Sequence, residues 1–178
     1  MPEENNLLQY IHSHALWEGE LSLKRGDYIQ SFDKTDTNIY FIKEGCLRIF
    51  WMNEEAEHTI RFGYTNNIIA ALDSFIQHTP SAFHIQALRK TEILMLSKSK
   101  FEEIIQAHPN LKEEWIVMLQ ALIIQQLDRE KDLLISSPLD RYERVLKRSP
   151  QLFQEVPNKY IADYLRMTPE TLSRIMNS

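Results

Sequence analysis

The stretch from residue 110 to 135 limits the possible folds more than any other part of this chain. Its middle reads Trp115-Ile116-Val117-Met118-Leu119, then Ala121-Leu122-Ile123-Ile124 and Leu127, and it is apolar on nearly every side. A helix packed on one domain with a free outer face carries one apolar stripe and a polar back. This one needs apolar neighbours in more than one direction. Trp115, Met118 and Leu122 are candidates to cover an adjacent domain. Ile116, Leu119, Ile123 and Gln126 recur at i, i+3, i+7 and i+10, which suits a seam between two helices. The competing arrangement, a helix wholly enclosed by its own protomer, requires more interior than the flanking segments offer. The expectation is a homodimer joined along this helix.

Before it the pattern changes period. Residues 5–16 read as a short helix with Leu7, Leu8, Ile11 and Leu16 on one side. From about 21 to 97 the chain reads as short strands and turns. Leu21 and Leu23 precede a turn at Arg25-Gly26-Asp27, Tyr28-Ile29 follow, and 33–38 is polar. Further strands are expected at 39–42, 46–51, 58–62, 85–88 and 92–96, with a turn at 53–57. Two pairs read as hairpins. One turns on Lys43-Glu44-Gly45, with Gly45 at positive φ, and the other on Arg89-Lys90-Thr91. Many short, evenly spaced strands predict a double-sheet jelly roll and an α+β chain. A helix opened at 97–99 and running to Gln106, with Phe101, Ile104 and Ile105 apolar, closes this part; His108-Pro109-Asn110 breaks it.

After the long helix, Ser136-Ser137-Pro138 reads as a hinge. A helix over 139–148 should turn Tyr142, Val145 and Leu146 inward. A short turn with Leu152 and Phe153 leads through Val156-Pro157-Asn158 into KYIADYLRMTPETLSRIMNS, residues 159–178. There Tyr160, Ile161, Tyr164 and Leu165 make one apolar face, and Ala162 allows close approach. Thr168 is a good N-cap, Pro169 suits the first helical position and Glu170 suits the first turn. Leu172 and Ile175 point back. Two short helices about a tight turn form a helix-turn-helix, whose second helix enters a DNA major groove. Pro169, Glu170, Ser173 and Arg174 would then face bases, with Arg174 able to grip guanine and Glu170 able to accept from cytosine. Lys159, Arg166, Thr168 and Thr171 would meet phosphates.

Charge distribution agrees mildly. The net charge is −5, yet residues 138–178 hold seven basic and five acidic groups. The acidity therefore lies in the part not expected to touch DNA. One cysteine, Cys46, rules out an internal disulfide and a Cys-rich metal site, and its strand context favours a buried free thiol. No apolar run approaches about 20 residues and no signal peptide is evident, so a cytoplasmic protein without membrane contact is expected. Enzyme motifs are missing: no HExxH, P-loop, GxSxG or zinc-spaced set occurs. His12 and His14 point to different faces of a helix. His58, His78 and His84 are scattered without the spacing of a cupin-like metal site. The alternative to a DNA-binding protein is a β-roll oligomer that binds proteins or senses a metabolite.

Three segments carry a family resemblance: IYFIKEGCLRIF (39–50), LDSFIQHTPSAFHIQALRKTEILML (72–96) and VPNKYIADYLRMTPETLSRI (156–175). Over about residues 5–177 the chain resembles the Crp/Fnr bacterial transcription regulators, particularly their short Bacteroidetes members. The resemblance implies a cyclic-nucleotide-binding-like roll over 1–109, a dimerisation helix over 110–136 and a helix-turn-helix over 137–178. It implies an inverted-repeat operator in double-stranded DNA, with RNA polymerase as a further candidate partner. The family's base readers fall on Pro169, Glu170 and Arg174. Pro169 stands where many members have Arg or another polar residue. With Ser178 last, no β-wing is expected after the recognition helix. In members that bind cyclic AMP, a Gly-Glu-Leu segment holds the ribose and an Arg-Ser or Arg-Thr pair the phosphate. The matching positions here are roughly Ala70-Ala71-Leu72 and Pro80-Ser81 or Ser81-Ala82. Both charged groups are replaced, and His78 and His84 sit elsewhere, so cyclic AMP control is not expected. One cysteine excludes the family's iron-sulfur sensors, while His58 or His84 stays open as a haem ligand. No cofactor is assigned. An unknown, weakly polar effector could lie between roll and long helix, near Leu72, Phe75, Phe83 and Trp115.

Overall fold

The computed structural model describes residues 6–54 and 56–177. Residues 1–5, Glu55 and Ser178 lie outside them, and with these the first residue of the helix expected over 5–16, one residue of the turn at 53–57 and the last residue of 159–178. The helix α1 (Leu7–Ser13) is capped by the Asn6 side chain, which accepts from the Gln9 N–H, and buries Leu7 and Ile11.

Among the described residues eight strands follow in two four-stranded sheets. They are β1 (Gly19–Leu23), β2 (Tyr28–Gln30), β3 (Ile39–Glu44), β4 (Cys46–Met52), β5 (Glu57–Tyr64), β6 (Ile68–Ile69), β7 (His84–Ala87) and β8 (Thr91–Leu96). One sheet has the order β1-β8-β3-β6 and the other β2-β7-β4-β5, with every pairing antiparallel. Leu23, Ile42, Leu47, Ile85 and Ile93 pack between them. The jelly roll expected from strand spacing is present.

Two of its expected hairpins are not. β3 and β4 belong to different sheets, and so do β7 and β8. The turn residues carry the chain from one sheet across to the other. Gly45 has the expected positive φ, +120°, but its second role is proximity: a Cβ there would lie 2.6 Å from the Thr91 Cα. The two crossovers touch, and only a residue without a side chain fits between them. The hairpin that does form joins β4 to β5, where the Asn53 N–H donates to the Ala56 carbonyl.

Between β6 and β7 the short helix α2 (Leu72–Gln77) buries Ser74 and Phe75. It was not expected from the sequence. Then α3 (Lys98–Ala107), capped by Ser97, and α4 (Pro109–Leu134) pack on the end of the roll. Phe75, Phe101 and Trp115 meet edge to face there, with centroids 4.9–6.2 Å apart. The C-terminal part is α5 (Pro138–Arg148), α6 (Pro150–Glu155), α7 (Asn158–Tyr164) and α8 (Pro169–Met176). On α5, Val145 is fully buried and Tyr142 half-buried, but Leu146 faces solvent. Arg141 takes the inward place instead, bridging the Ile135 carbonyl in the hinge (2.7 Å) and the Arg166 carbonyl (3.2 Å). A guanidinium satisfies two orphaned helix-end carbonyls, which leucine could not do.

Candidate nucleic-acid interface and effector cavity

The turn between α7 and α8 is built by backbone geometry and one cap. Arg166 takes a left-handed φ of +52°, and the Met167 N–H returns to the Ala162 carbonyl at 3.0 Å. Thr168 then caps α8 by accepting from the Thr171 N–H at 3.2 Å, with Pro169 at the first helical position. Leu172 is fully buried and anchors the helix. Pro169, Glu170, Ser173 and Arg174 all face solvent, side by side on the outer face. Lys159 and Thr168 are exposed and Thr171 is half-buried. Glu170 has its carboxyl pKa lowered by hydrogen bonds to its own backbone N–H and to Thr168, and then by Arg174.

The helix-turn-helix is docked on its own roll, which sequence reasoning did not anticipate. Cys46, Phe62 and Leu88 of the roll share one apolar cluster with Val145, Leu152, Ile161, Leu165 and Leu172. Each such fully buried aliphatic contributes about 1.5–3 kcal/mol. Burial pushes the Cys46 thiol up to about 12, so the free cysteine is inert packing. At the centre lies Arg48, its side chain only 2% exposed. Its Nε donates to Thr59 Oγ1 at 2.7 Å, its Nη1 to Glu57, and its Nη2 to Asp163 of α7 at 3.1 Å. Asp163 also accepts the Thr59 N–H at 2.7 Å, and the Tyr160 ring covers the guanidinium at 4.4 Å. Nearby, Arg89 pairs with Glu155 at 2.5 Å. Arg166 donates to His58 Nδ1 at 2.5 Å, so an approach to phosphate requires that bond to open.

On α4 the large exposed apolar side chains are Ile116, Val117, Ile123, Ile124 and Leu127 along its middle, and Leu133 and Leu134 at its end. A helix enclosed by its own protomer is thereby excluded. Of the four expected seam residues, Ile116 and Ile123 lie on this stripe. Leu119 is half-buried, and it and Gln126 line a cavity on the roll side. At its C-terminal end α4 is bolted to α5: the fully buried Asp132 accepts from Arg144 Nε (2.8 Å) and forms an ion pair with Arg148 (2.6 Å).

The cavity has a volume of about 630 Å³ and lies between α4 and the interior of the roll. Leu72, Phe83 and Trp115 line it as expected. Phe75 does not; it is buried among Phe101 and Trp115, because α2 turns it toward the helices. His58 and His84 are not among the lining residues either. His58 binds Arg166, and His84 stacks on Phe50 at 4.8 Å on the roll's other face, where burial lowers its pKa. Neither is offered to a haem in the cavity. Among the described residues no group of three or more His, Cys, Asp or Glu could hold a metal, and no helix is long and apolar enough to cross a membrane.

The sequence pattern described as the cyclic nucleotide-binding domain matches residues 20–108, half of the chain. The chain belongs to that family. Its whole-chain architecture is that of the Crp/Fnr regulators. A CooA variant from Carboxydothermus hydrogenoformans is 18% identical over 98% of this chain and 84% of its own, with a TM-score of 0.77. FixK2 from Bradyrhizobium japonicum is 17% identical over 89% and 82%, with a TM-score of 0.75. The c-di-GMP responsive global regulator CLP from Xanthomonas campestris is 11% identical over 95% and 89%, with a TM-score of 0.71. At such identities the likeness is one of fold. No curated protein matches the sequence.

A roll of the cyclic-nucleotide-binding type raises the question of whether it fits a cyclic nucleotide. Ala70, Ala71 and Leu72 line the cavity and bring no carboxylate at the positions expected to hold a ribose. At the position expected to hold the phosphate, Asp73 intervenes. Its carboxylate accepts the Ser81 hydroxyl (2.9 Å) and the Ala82 N–H (2.8 Å). An internal anion thus engages the donors that a phosphate would need, and would repel one. The residues do not fit a cyclic phosphate. Asp73 escaped sequence reasoning because it adjoins the motif positions instead of occupying them.

Proposed function

We propose that the protein is a homodimeric transcription regulator of the Crp/Fnr type that binds an inverted-repeat operator and does not answer to cyclic AMP. The observation that carries this reading is the solvent-facing row of Pro169, Glu170, Ser173 and Arg174 on a capped helix held from behind by Leu172. Arg174 and Glu170 read base edges; Lys159, Thr168, Thr171 and, once freed from His58, Arg166 grip phosphates. Residues 1–109 form the effector roll, 110–136 the dimerisation helix and 137–178 the DNA-binding head. The α4 stripe around Ile116 and Ile123 pairs with a second copy, setting two recognition helices roughly 34 Å apart. Double-stranded DNA and RNA polymerase are the partners, and the cytoplasm is the compartment.

Selection of bound sites from random duplexes tests the whole reading. It should return an inverted repeat, with affinity falling steeply as salt rises. Failure to enrich any sequence would leave the β-roll interaction module in its place. On the selected site Arg174→Ala should weaken binding about 10- to 100-fold, and much less on random DNA. Lys159→Ala should weaken both alike and reduce the salt slope by about one. Equal losses from Arg174→Ala on both DNAs would make Arg174 a phosphate contact.

Cyclic AMP and cyclic GMP should bind no tighter than about millimolar, since loss of a charged partner costs several kcal/mol. Calorimetry with each nucleotide measures this. A micromolar constant for either would refute the assignment of Asp73 as the occupant of the phosphate position.

A further inference from the structure

Arg61 reaches the inner face of the roll through an irregularity in the sheet. Between β4 and β5 the register runs Met52↔Glu57, Trp51↔His58, Phe50↔Thr59, and then Ile49↔Arg61. Ile60 is the extra residue of a β-bulge. In an unbroken ladder Ile60 would oppose Ile49, and Arg61 would fall on the outer face beside Arg48. The bulge reverses that parity. It sets Arg61 opposite Ile49, which packs against the inter-sheet core, and so turns a guanidinium toward the cavity.

No group among the described residues answers this charge. Arg61 is half-buried and makes no hydrogen bond or ion pair among them. Two carboxylates line the same cavity. Asp73 is engaged by Ser81 and Ala82, and Glu130 stands exposed on the last turns of α4. Burial lowers the Arg61 pKa, and Tyr164 of the head partly offsets it. A partly desolvated cation without a partner disfavours the empty site and favours an anion delivered with an apolar body. Guanidinium suits a planar carboxylate above other anions of that size, through two parallel N–H···O bonds.

We propose that the cavity binds a small carboxylic acid with an aliphatic or aromatic body, its carboxylate paired with Arg61 and its body against Ile49, Phe83, Ile85, Trp115 and Leu122. This rests on the roll being an effector site. The anionic end lies on β5 instead of at the position expected for a cyclic nucleotide's phosphate, where Asp73 already engages Ser81 and Ala82. A volume of about 630 Å³ is within the usual range for small-molecule sites. Arg61 also borders a second cleft shared with Met118, Leu122 and Tyr164. The acid's head group would therefore lie where roll, long helix and DNA-binding head meet, so that any preference for one head position shifts the equilibrium.

Calorimetry of the full chain with octanoate, decanoate and phenylpropionate, each beside its neutral alcohol, tests the proposal. At least one acid should bind at micromolar concentration, with its alcohol about tenfold or more weaker. Arg61→Gln should abolish that advantage while leaving the alcohol within about twofold, and Arg61→Lys should restore part of it. Without ligand, Arg61→Gln should melt no lower than the parent, because the guanidinium has no internal partner to lose. Equal binding of acids and alcohols, an advantage that survives Arg61→Gln, or a lower melting point for that variant would overturn the role of Arg61. Binding of the alcohols alone would keep the effector cavity and discard its anion site. No binding by any probe would overturn both. Duplex selection, run without ligand, reports separately on the regulator reading.

Discussion

Asp163→Ala is expected to lower the thermal unfolding midpoint by about 6–12 °C. The reason lies in what the carboxylate leaves behind. Arg48 Nη2 and the Thr59 N–H both donate to it, at 3.1 and 2.7 Å, and the Arg48 side chain is 2% exposed. Breaking a buried pair by removing one partner costs about 3–5 kcal/mol. Asp163 itself is 23% exposed, so water restores part of the loss and the lower end applies. About 3 kcal/mol in a chain of this length corresponds to the stated shift. Differential scanning calorimetry measures it, and a shift under about 2 °C would show that water replaces the carboxylate fully. Adding Arg48→Met should not worsen Asp163→Ala, since it removes the orphaned charge. Amide exchange over 158–164 should accelerate more than in β4, because the two lost bonds help fasten α7 to the roll.

That fastening shows why some of this molecule was legible in the sequence and some was not. The helix-turn-helix could be read because its determinants are local: Thr168, Pro169 and the spacing of Ile161, Leu165 and Leu172 act within one or two turns. The strands could be read from alternation. Their partners could not, because Lys43-Glu44-Gly45 looks the same whether it closes a hairpin or crosses between sheets. The choice is made by β8, which inserts between β1 and β3 and leaves β4 to pair elsewhere. Arg48 and Asp163 lie 115 positions apart, and nothing local links them. The only trace was an arginine within the apolar run CLRIF.

Arg61 is a sharper case. A period-two reading of HTIRF puts Ile60 inward and Arg61 outward, and a single inserted residue turns Arg61 to the cavity as well. Asp73 was hidden differently. It lies beside the motif positions and takes up the Ser81 and Ala82 donors that a phosphate would need. The long helix was legible as needing two partners, but the division of its faces was shifted: Leu119 and Gln126 turn to the cavity, Val117 and Ile124 join Ile116 outside, and Ile123 and Leu127 border both.

This division decides how dimerisation is to be tested. Ile116→Asp should convert a dimer into a monomer at micromolar concentration. Ile116 is 44% exposed and does not line the cavity, so its substitution leaves the protomer's interior alone. In a two-fold pair each substitution occurs twice, and each Asp would be buried without a partner in an apolar seam. Even about 2 kcal/mol per site sums to about 4 kcal/mol, nearly a thousandfold in the dissociation constant. Ile123→Asp should act similarly but should also disturb the cavity, since Ile123 borders both. Sedimentation reads the oligomer, and circular dichroism confirms that the monomer is folded. The functional consequence follows from geometry. A monomer presents one recognition helix, so it should bind a single half-site weakly and lose discrimination for the inverted repeat, even with Arg174 intact. A parent chain that sediments as a monomer would sink the proposal, and so would an Ile116→Asp variant that keeps full affinity for the repeat.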